Sequence, residues 1–504
     1  MGCETADQLW HDFFYNDLII ILMLLTFHGA ARTVTGSKHL LSLENGNKIL
    51  LDCGMFQGLG AQTDYLNEHF GFEPSSISVV LLSHAHIDHS GLLPKLVAEG
   101  FTGKIYCTET TRHLTELLLL DSAIVQSNER DSLHTPLYGL EDVKRTMDQI
   151  AVVDFDAWFH PLPDTAVLFT QTGHLLGAAA IHLRVTGNGK ETTLTYSADI
   201  GRARHPLFRP ATSFPQAEYI ILESTYGNKH HPFQVSHVDT LLQWIQHTCG
   251  KKGGKLIIPA FSVGRTQELL YLLGQLAREK RLPAYKYFVD SPLAMRATDI
   301  FRQYAADLHE GLGDHTHVGR TDGGQEGLGV GDGTDPFTFP GVKFVETAED
   351  SKRLQEFDEP CVIIAASGTA DAGRVRHHLE TCVDKPRHTI LFSGYCSPHT
   401  AGGQLLGHAK VIEVHGEKKE VRAEIAQLSG LSAHGDVDDI CHFVSCQDPA
   451  LVRGVFLVHG EPDAQEMLAS KLSAKGFYPV QAPEMHAEVQ LNVGAGSMRE
   501  ERVA

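Results

Sequence analysis

The chain has 504 residues and carries 42 lysines and arginines against 62 aspartates and glutamates, a formal charge of −20 with histidine counted as neutral. This length predicts about two to four domains of roughly 150 residues each, and 42% hydrophobic residues suffice to bury their cores, which excludes a disordered or fibrous chain. The acidic balance excludes a general basic coat for nucleic acid, so any polyanion must be attracted locally. The 30 histidines make a metal site worth seeking, because histidine is the commonest metal-binding side chain.

The N-terminal region gives no sign of secretion. Its apolar run at residues 18–27 is shorter than the roughly 20 residues that a membrane helix needs, and four acidic residues precede it where a signal peptide carries positive charge. The nine cysteines contain no CxxC pair, which is typical of a reducing compartment. We therefore expect a cytoplasmic protein without a membrane segment. Residues 24–27 are expected to open a buried first strand, with Met23 as the start and residues 1–22 as an upstream extension.

Short β-rich runs followed by polar or glycine turns predict strands in the first half of the chain. These runs lie at residues 48–51, 78–82, 193–196 and 219–222. Polar side chains that can bind metals or move protons fall just after them, namely Asp52, His84, Asp199 and Glu223. One sheet edge could therefore gather these side chains into a single cleft of an α/β or layered α+β core.

From about residue 214 the pattern changes to strands that alternate with helices, which predicts a parallel-sheet domain. The predicted strands lie at 255–259, 287–290 and 361–365, and a helix is predicted at 267–279. Residues 311–333 are crowded with glycine, aspartate and histidine, so we expect a mobile insertion loop there. After about 426 the chain returns to a strand at 455–458, then His459 and a helix to about 475, and a frayed tail is expected from about 494.

The densest group of metal-binding side chains is the segment HAHIDH at residues 84–89, which follows the strand at 78–82. Residues two apart in an extended segment point the same way, so His84 and His86 can hold one ion. The chain then turns, and Asp88 and His89 can reach a second ion about 3.5 to 4 Å away, as in two-metal hydrolases. Imidazole and carboxylate together suit zinc. The alternative is a cluster of solvated histidines at a turn, which the position after an apolar strand disfavours.

This HxHxDH segment resembles the signature of metallo-β-lactamase-fold hydrolases. Asp52 in LDCGMFQG, His174 in TGHLLGA and Asp199 in YSADIG match further motifs of that family, in the right order. A lone His174 would otherwise suggest a structural histidine. Later motifs narrow the resemblance to the β-CASP group of nucleases: ESTYGN with Glu223, IPAFSVGRTQELLY at 258–271, VDSPLA at 289–294, LSAHGD with His434 and LVHGE with His459.

The resemblance implies an α/β fold, an αββα metallo-β-lactamase sandwich with an inserted parallel-sheet β-CASP cap domain. The first part of the sandwich is expected at 23–213 and the cap domain at 214–425. The second part of the sandwich is expected at 426–493, followed by a tail at 494–504.

Matched residue by residue, the resemblance implies two zinc ions per chain. One ion would be held by His84, His86 and His174, and the other by Asp88, His89 and His459. Asp199 and a hydroxide would lie between them. Such a centre implies hydrolysis by a metal-activated hydroxide that attacks phosphorus in line with the leaving oxygen.

Three further residues acquire roles from the resemblance. Asp52 would orient the ligands or the metal-bound water. His434, oriented by Glu223, would give a proton or hydrogen bond to the scissile phosphate or to the leaving group. The alternative for His434 is a place beside a helix cap.

Substrate preference is predicted from the third β-CASP motif. RNA-processing members have histidine where this chain has His459, whereas the DNA-repair branch has valine, so RNA is favoured over DNA. Candidate contacts to the substrate are Arg265, Ser367, Gly368, Arg374 and Ser432. Arginine suits phosphate through its forked donors, although Arg265 can instead cap the helix that starts near Thr266. The segments GYCSPHTAGG and SGTADAGR depart from the forms common in relatives, so the resemblance does not predict how these segments bind the substrate or which cleavage preference they produce.

The leading prediction is a zinc-dependent ribonuclease that cuts single-stranded RNA internally, trims it from the 5′ end, or both. One alternative is a hydrolase of small esters or lactams, which leaves the inserted cap unexplained. Another alternative is a non-catalytic subunit of an RNA-processing complex. The retention of every ligand candidate disfavours it. A homodimer is expected from the family alone. RNA binding is expected to be local and metal-dependent, because the rest of the chain is acidic.

Overall fold

A computed structural model describes residues 22–492 except 61, 129–134, 188–189, 232–235, 309–334, 395 and 429. The predicted loop at 311–333, the tail from 494 and nearly all of the N-terminal extension lie outside the described residues. Among the helices that are described, none is both long enough and apolar enough to cross a membrane.

The first of two large sheets has seven strands. Its strands are β1 Leu22–Phe27, β2 His39–Ser42, β3 Lys48–Leu51, β4 Val79–Leu81, β5 Lys104–Cys107, β6 Ile150–Val152 and β22 Glu488–Asn492. Their order is β22-β1-β2-β3-β4-β5-β6. The strands from β3 to β6 are parallel, whereas β22 pairs antiparallel with β1. The last described strand therefore lies at the edge beside the first.

The second sheet also has seven strands. They are β7 Phe159–Leu162, β8 Thr165–Gln171, β9 Ala179–Gly187, β10 Lys190–Tyr196, β11 Tyr219–Glu223, β20 Gly454–Val458 and β21 Val480–Gln481, in the order β21-β20-β11-β10-β9-β8-β7. Strands β10, β11 and β20 are parallel, so their carboxyl ends meet at one edge. The two sheets pack face to face through a buried apolar core that includes Phe27, Leu81, Phe169, Ile181 and Phe456.

A third sheet of six strands lies between β11 and β20 in the sequence. Its strands are β12 Lys255–Pro259, β13 Lys286–Asp290, β14 Val342–Phe344, β15 Cys361–Ala365, β16 Thr389–Phe392 and β19 Glu424–Gln427, in the order β14-β13-β15-β12-β16-β19. Every pairing in this sheet is parallel. The strands β17 Val411–Val414 and β18 Glu417–Glu420 form a separate hairpin.

Helices cover the outer faces of these sheets. The described helices are Gln62–Glu68, Ile87–Ser90, Leu93–Ala98, Glu109–Asn128, Leu140–Gln149, His237–Ile245, Arg265–Arg278, Pro292–Gln303, Ala348–Glu356, Val375–Cys382, Ala401–Leu406, Val437–Phe443 and Pro462–Ala474. Leu93 packs on the outside of the first sheet, and Ile440 and Leu468 pack on the outside of the second. The helix–sheet–sheet–helix layers confirm the predicted αββα sandwich.

The third sheet forms the cap, and its two faces have different neighbours. Leu256, Ile258 and Val362 on one face share a core with Leu114 and Leu175 of the sandwich. Residues that alternate with these along the same strands point to the other face and pack against helices of the cap itself. The first face therefore fixes the cap over the part of the sandwich that carries residues 174 to 176.

The predicted strands at 48–51, 255–259 and 361–365 occur with those bounds. The buried strand predicted at 24–27 occurs as the longer β1. The helix predicted at 267–279 begins earlier, at Arg265, because Gly264 adopts φ 84° and its N–H donates to Gln267 Oε1 at 2.7 Å, which caps the first turn. The domain limits at 213/214 and 425/426 stay predictions.

Candidate metal centre

Loops that leave the carboxyl ends of the strands carry the site. The HAHIDH segment is extended as far as His86, and the chain then turns into the helix Ile87–Ser90, as the sequence predicts. Asp52 and His459 follow β3 and β20 directly, with φ 60° and φ 49°. The backbone therefore turns sharply where each strand ends, which keeps these side chains beside the sheet edge.

A first group of ligand atoms comes from His84, His86, His174 and Asp199, which lie within 4.8 Å of one another. His86 Nδ1 lies 3.2 Å from His84 Nε2 and 3.1 Å from His174 Nε2. Asp199 Oδ2 lies 3.4 Å from His174 Nε2. The four residues therefore lie close together in the structure, although the first and the last, at positions 84 and 199, are 115 positions apart in the sequence.

A second group comes from Asp88, His89 and His459, whose ligand atoms also lie within 4.8 Å of one another. His459 Nε2 lies 3.4 Å from Asp88 Oδ2. Asp199 Oδ1 lies 3.3 Å from His89 Nε2. Because Asp199 turns one oxygen to each group, it lies between them, in the position that the resemblance implies.

The polar atoms of this centre fit a pair of divalent cations. Asp199 Oδ1 and His174 Nδ1 are buried and have no hydrogen-bond partner among the residues that the structure describes. A buried carboxylate oxygen that accepts no hydrogen bond is costly unless a cation lies beside it. Imidazole nitrogens and carboxylate oxygens that converge in this way form the ligand set of zinc and similar ions.

Charge states support this fit. Burial and neighbouring imidazoles hold the pKa values of His84 and His174 well below the usual range, so both rings are neutral and offer lone pairs. Burial opposes charge on His89 too, but Asp199 and Asp52 raise its pKa well above the usual range. A cation bound at His89 Nε2 would replace that proton.

Asp52 orients His89. Its Oδ2 accepts hydrogen bonds from His89 Nδ1 at 2.7 Å, Ser83 Oγ at 2.7 Å and Tyr196 Oη at 2.8 Å. Oδ1 accepts from the Ser83 backbone N–H at 2.7 Å. Sequence reasoning found Asp52 but missed Ser83 and Tyr196. Their positions directly before HAHIDH and within TYSADIG were the available signal.

Thr225 orients another ligand in a similar way. Its Oγ1 lies 2.9 Å from His459 Nδ1 and also donates to the His459 carbonyl at 2.9 Å. Thr225 belongs to the ESTYGN motif but was not singled out from the sequence. The hydroxyl fixes the ring so that Nε2 faces Asp88.

His434 and Glu223 form a pair at the edge of the centre. His434 Nδ1 lies 3.1 Å from Glu223 Oε2, and His434 Nε2 lies 3.9 Å from Asp199 Oδ2. The Glu223 carboxylate also accepts a bond from the Ile200 backbone N–H. Burial disfavours charge on His434, but Glu223 and Asp199 raise its pKa to about 9. The ring is 19% exposed, whereas His84, His89 and His174 are buried, so His434 lies at the more exposed side of the centre.

Arg202 links the centre to the cap, and sequence reasoning missed it. It follows Asp199 by three positions, donates to the Gly430 carbonyl at 2.6 Å and pairs with Glu268 on the cap helix. Arg265 pairs with the same carboxylate. Two guanidinium groups on one buried carboxylate leave positive charge at the junction of sandwich and cap.

The predicted substrate contacts have different surroundings. Ser432 Oγ accepts from the His434 backbone N–H at 3.2 Å, so it lies beside His434. Gly368 lies against the Phe261 ring, where a Cβ atom would come within 2.9 Å. Ser367 begins the same turn, and its N–H donates to the Ala372 carbonyl at 3.0 Å. Whether these residues contact substrate stays a prediction.

Arg374 is held within the cap. Its guanidinium donates to Asp290 Oδ1 at 2.8 Å and to the carbonyls of Val345 and Glu346 at 2.9 Å and 2.7 Å. These contacts occupy the forked donors on which its predicted phosphate contact was based, and that role also stays a prediction.

Three family profiles match successive parts of the chain. The metallo-beta-lactamase superfamily matches residues 40–228, the Beta-Casp domain matches residues 266–405, and the Zn-dependent metallo-hydrolase RNA specificity domain matches residues 418–483.

Individual proteins match over most of the chain. Ribonuclease TTHA0252 of Thermus thermophilus is 34% identical over 449 residues, which cover 89% of this chain and 95% of that protein. Transcription termination factor FttA of Methanosarcina mazei is 30% identical over 460 residues, which cover 90% of this chain and 69% of that protein. A crystal structure of a protein of unknown function from Enterococcus faecalis V583 covers 93% of this chain at a TM-score of 0.50 and 12% identity, and all of that chain is covered. That last likeness concerns the fold alone.

Proposed function

Because the chain belongs to the β-CASP group of the metallo-β-lactamase superfamily, a family of metal-dependent hydrolases, we propose that it hydrolyses the phosphodiester bonds of single-stranded RNA with two zinc ions. The observation that carries this proposal is the joint presence of two ligand groups around Asp199 and the His434–Glu223 pair beside them. The name of the Thermus relative, a ribonuclease, supports RNA as the substrate.

The proposed ligands divide between the two groups. His84, His86 and His174 would hold one ion, Asp88, His89 and His459 would hold the other, and Asp199 would serve both. When bound, the zinc ions supply positive charge for the phosphate oxygens and make a water molecule acidic enough to give hydroxide near neutral pH.

Three residues of the chain, Asp52, Glu223 and His434, would then orient a ligand and supply a proton. Asp52 keeps the proton of His89 on Nδ1, so that Nε2 faces the centre. Glu223 holds His434 by Nδ1 and favours its charged form, which leaves a proton on Nε2. From the edge of the cleft this proton can be given to a phosphate oxygen or to the leaving oxygen.

RNA would be bound locally, since the chain as a whole is acidic. The Arg202–Glu268–Arg265 group places positive charge where the cap meets the sandwich. Phe261 lies in the loop between β12 and the helix Arg265–Arg278. Its side chain is 51% exposed, so a nucleobase can stack on the ring. The adjoining Gly264 lies over Leu175, next to the ligand His174, so this loop borders the centre.

The proposal covers both internal cutting and trimming from the 5′ end. Mapping of products from RNA with 5′-phosphate and 5′-triphosphate ends distinguishes the two modes. A cytoplasmic location and a homodimer also stay predictions.

The experiment that tests the function uses the purified full chain with zinc on labelled single-stranded RNA, single-stranded DNA and a chromogenic lactam. His84→Ala and His434→Ala are assayed beside the wild type. We expect the wild type to cut RNA and His84→Ala to leave it intact. Equal cleavage of RNA by both proteins would contradict the proposal, and faster turnover of the lactam would favour a small-ester or lactam hydrolase.

A further inference from the structure

A separate group of metal-binding side chains lies on the cap: His377, Glu380 and His415. His377 and Glu380 belong to the helix Val375–Cys382. That helix packs through Val375 and Leu379 on the face of the cap sheet that includes Ile257 and Ile363. The opposite face packs on the sandwich. The group is therefore on the far side of the cap from the centre already described.

The geometry of this group is that of a ligand set. His377 and Glu380 are three positions apart on one helix, so their side chains share a face. The ligand atoms of all three residues lie within 4.8 Å of one another, and His415 Nδ1 lies 3.0 Å from Glu380 Oε2. The rings of His377 and His415 have centroids 4.7 Å apart. The rings of His84 and His86 in the metal centre are 4.9 Å apart.

The helix that carries His377 and Glu380 is held in place by its neighbours. His378, between them in the sequence, is buried, and its Nε2 lies 2.7 Å from Asp290 Oδ2. Arg374, just before the helix, donates to the other oxygen of Asp290 at 2.8 Å. These two bonds hold the first turn of the helix against the end of β13, so a ligand on this helix loses little freedom when it binds an ion.

The third side chain comes from the turn of the β17–β18 hairpin. His415 and Gly416 are its two central residues, with φ 49° and φ 80°. Two-residue turns of this left-handed kind are most often Asn-Gly or Asp-Gly. Histidine at the first position directs its ring toward the helix and places it against Glu380.

Two basic side chains near the group have partners of their own. Lys419 on the same hairpin is paired with Glu417 at 2.9 Å, and Glu380 also raises its pKa, so this lysine lies near the proposed ligand carboxylate. Arg376 donates to the Asp371 carbonyl at 3.2 Å.

We propose that His377, Glu380 and His415 bind one divalent transition-metal ion, zinc by the chemistry of its ligands, and that this ion fastens the β17–β18 hairpin to the helix Val375–Cys382. Two imidazoles and one carboxylate leave a fourth position of a tetrahedral ion to solvent. Among the described strands, β17 and β18 pair only with each other. The hairpin otherwise packs through Ile412 and Val414, so an ion at its tip would add a second attachment.

The test compares the full-length wild type with His415→Asn, because asparagine keeps the left-handed turn and removes the imidazole. His408→Asn is the matched control, since His408 is also an exposed histidine with a positive φ, 62°, and lies outside the group. Zinc content is measured by mass spectrometry after dialysis against a series of buffered free zinc concentrations, and thermal unfolding is followed in the same buffers.

We expect His415→Asn to bind one zinc ion fewer per chain than the wild type and His408→Asn, or to bind it at least about tenfold more weakly, a difference of about 1.4 kcal/mol. Its zinc-dependent rise in melting temperature should shrink, while RNA cleavage stays at the wild-type rate. Equal zinc content in all three proteins at every zinc concentration would overturn the proposal, and so would an equal loss in His408→Asn. Neither result depends on whether the chain cleaves RNA.

Discussion

Asp52 holds His89 from behind the metal centre: the Asp52 carboxylate accepts from His89 Nδ1 at 2.7 Å, and the other nitrogen of that ring faces the centre. The bond fixes both the orientation of the ring and the position of its proton. Because Ser83 and Tyr196 also donate to Asp52, the carboxylate is itself held in place.

Asp52→Asn should therefore weaken the ion proposed at Asp88, His89 and His459 by about 10- to 100-fold, the usual effect of losing a carboxylate that orients a metal-binding histidine. The measurement is zinc affinity by competition with a chromophoric chelator. Tyr196→Phe is the control, since it removes one donor and keeps the carboxylate, and its loss should be smaller. An unchanged zinc affinity in Asp52→Asn would show that this bond does not support the ligand.

His434→Ala should lower kcat for RNA cleavage by about 10²- to 10⁴-fold, the range for removal of a general acid or base. Its zinc content should match the wild type, because His434 belongs to neither of the two proposed ligand sets and is paired with Glu223 instead. Glu223→Gln should cause a smaller decrease in kcat, since the histidine remains. If zinc content falls together with kcat, His434 is a ligand rather than a proton donor.

Removal of metal should abolish both cleavage and tight binding of RNA. The reason is electrostatic: a chain with a formal charge of −20 attracts a polyanion only where cations and the buried arginines offset that charge. Fluorescence anisotropy with labelled RNA, before and after chelation and after zinc is restored, measures the effect. Tight binding of RNA by metal-free protein at physiological salt would be the contrary result.

Phe261→Ala should weaken RNA binding by about 1 to 3 kcal/mol if the ring stacks on one base. The loss should appear in KM, with kcat at saturating RNA nearly unchanged, because Phe261 is not among the ligands or the His434–Glu223 pair. Phe261→Tyr keeps the aromatic face and should restore binding. Equal KM values for the alanine variant and the wild type would exclude stacking at this position.

Acid should destabilise the fold through histidines that are buried in the neutral form. His182 lies between the hydroxyls of Thr170 and Thr195, at 2.8 Å and 2.9 Å, and burial lowers its pKa to about 3. In the unfolded chain the same ring takes up a proton near pH 6.5, so below that pH the unfolded state binds more protons. The free energy of unfolding is therefore fully retained above pH 6.5 and falls by roughly 1.4 kcal/mol per pH unit below it.

Urea unfolding at pH 7 and pH 5 measures this dependence, with an expected difference of roughly 2 kcal/mol from His182 alone. His205 and His388, whose pKa values are lowered to about 4 mainly by burial, should act in the same direction. His182→Gln should flatten the dependence, whereas the same change at the exposed His69 should not. Equal slopes for His182→Gln and the wild type would contradict the assignment.

Features that depend only on residues close together in the sequence could be predicted from it. The ligand candidates of HAHIDH are neighbours in the sequence, and the strands that precede the motifs are short apolar runs. The candidates and the places of nine strands could therefore be predicted, although only three of those strands have the predicted bounds. Contacts between distant residues could not. Tyr196 reaches Asp52 across 144 positions, and serine, threonine, tyrosine and arginine have too many roles for a linear pattern to single them out.

The cap shows the same limit. Arg374 was predicted to contact substrate from its motif, but only the folded chain shows Asp290 and two carbonyls around its guanidinium. His377 and His415 belong to no motif, and a helix and a hairpin turn bring them together. Pairing across elements depends on the packing of the cap sheet, which no single segment of the sequence encodes.

The order of the strands also determines at which stage of its synthesis the chain can form the metal centre. His459 follows β20, which is placed between β21 and β11, and β22 closes the first sheet against β1. While the chain is still being translated, HAHIDH, His174 and Asp199 leave the ribosome long before His459 does. The second ligand group is therefore incomplete until most of the chain has been synthesised. A truncated chain that ends in the cap lacks His459 and never completes this group.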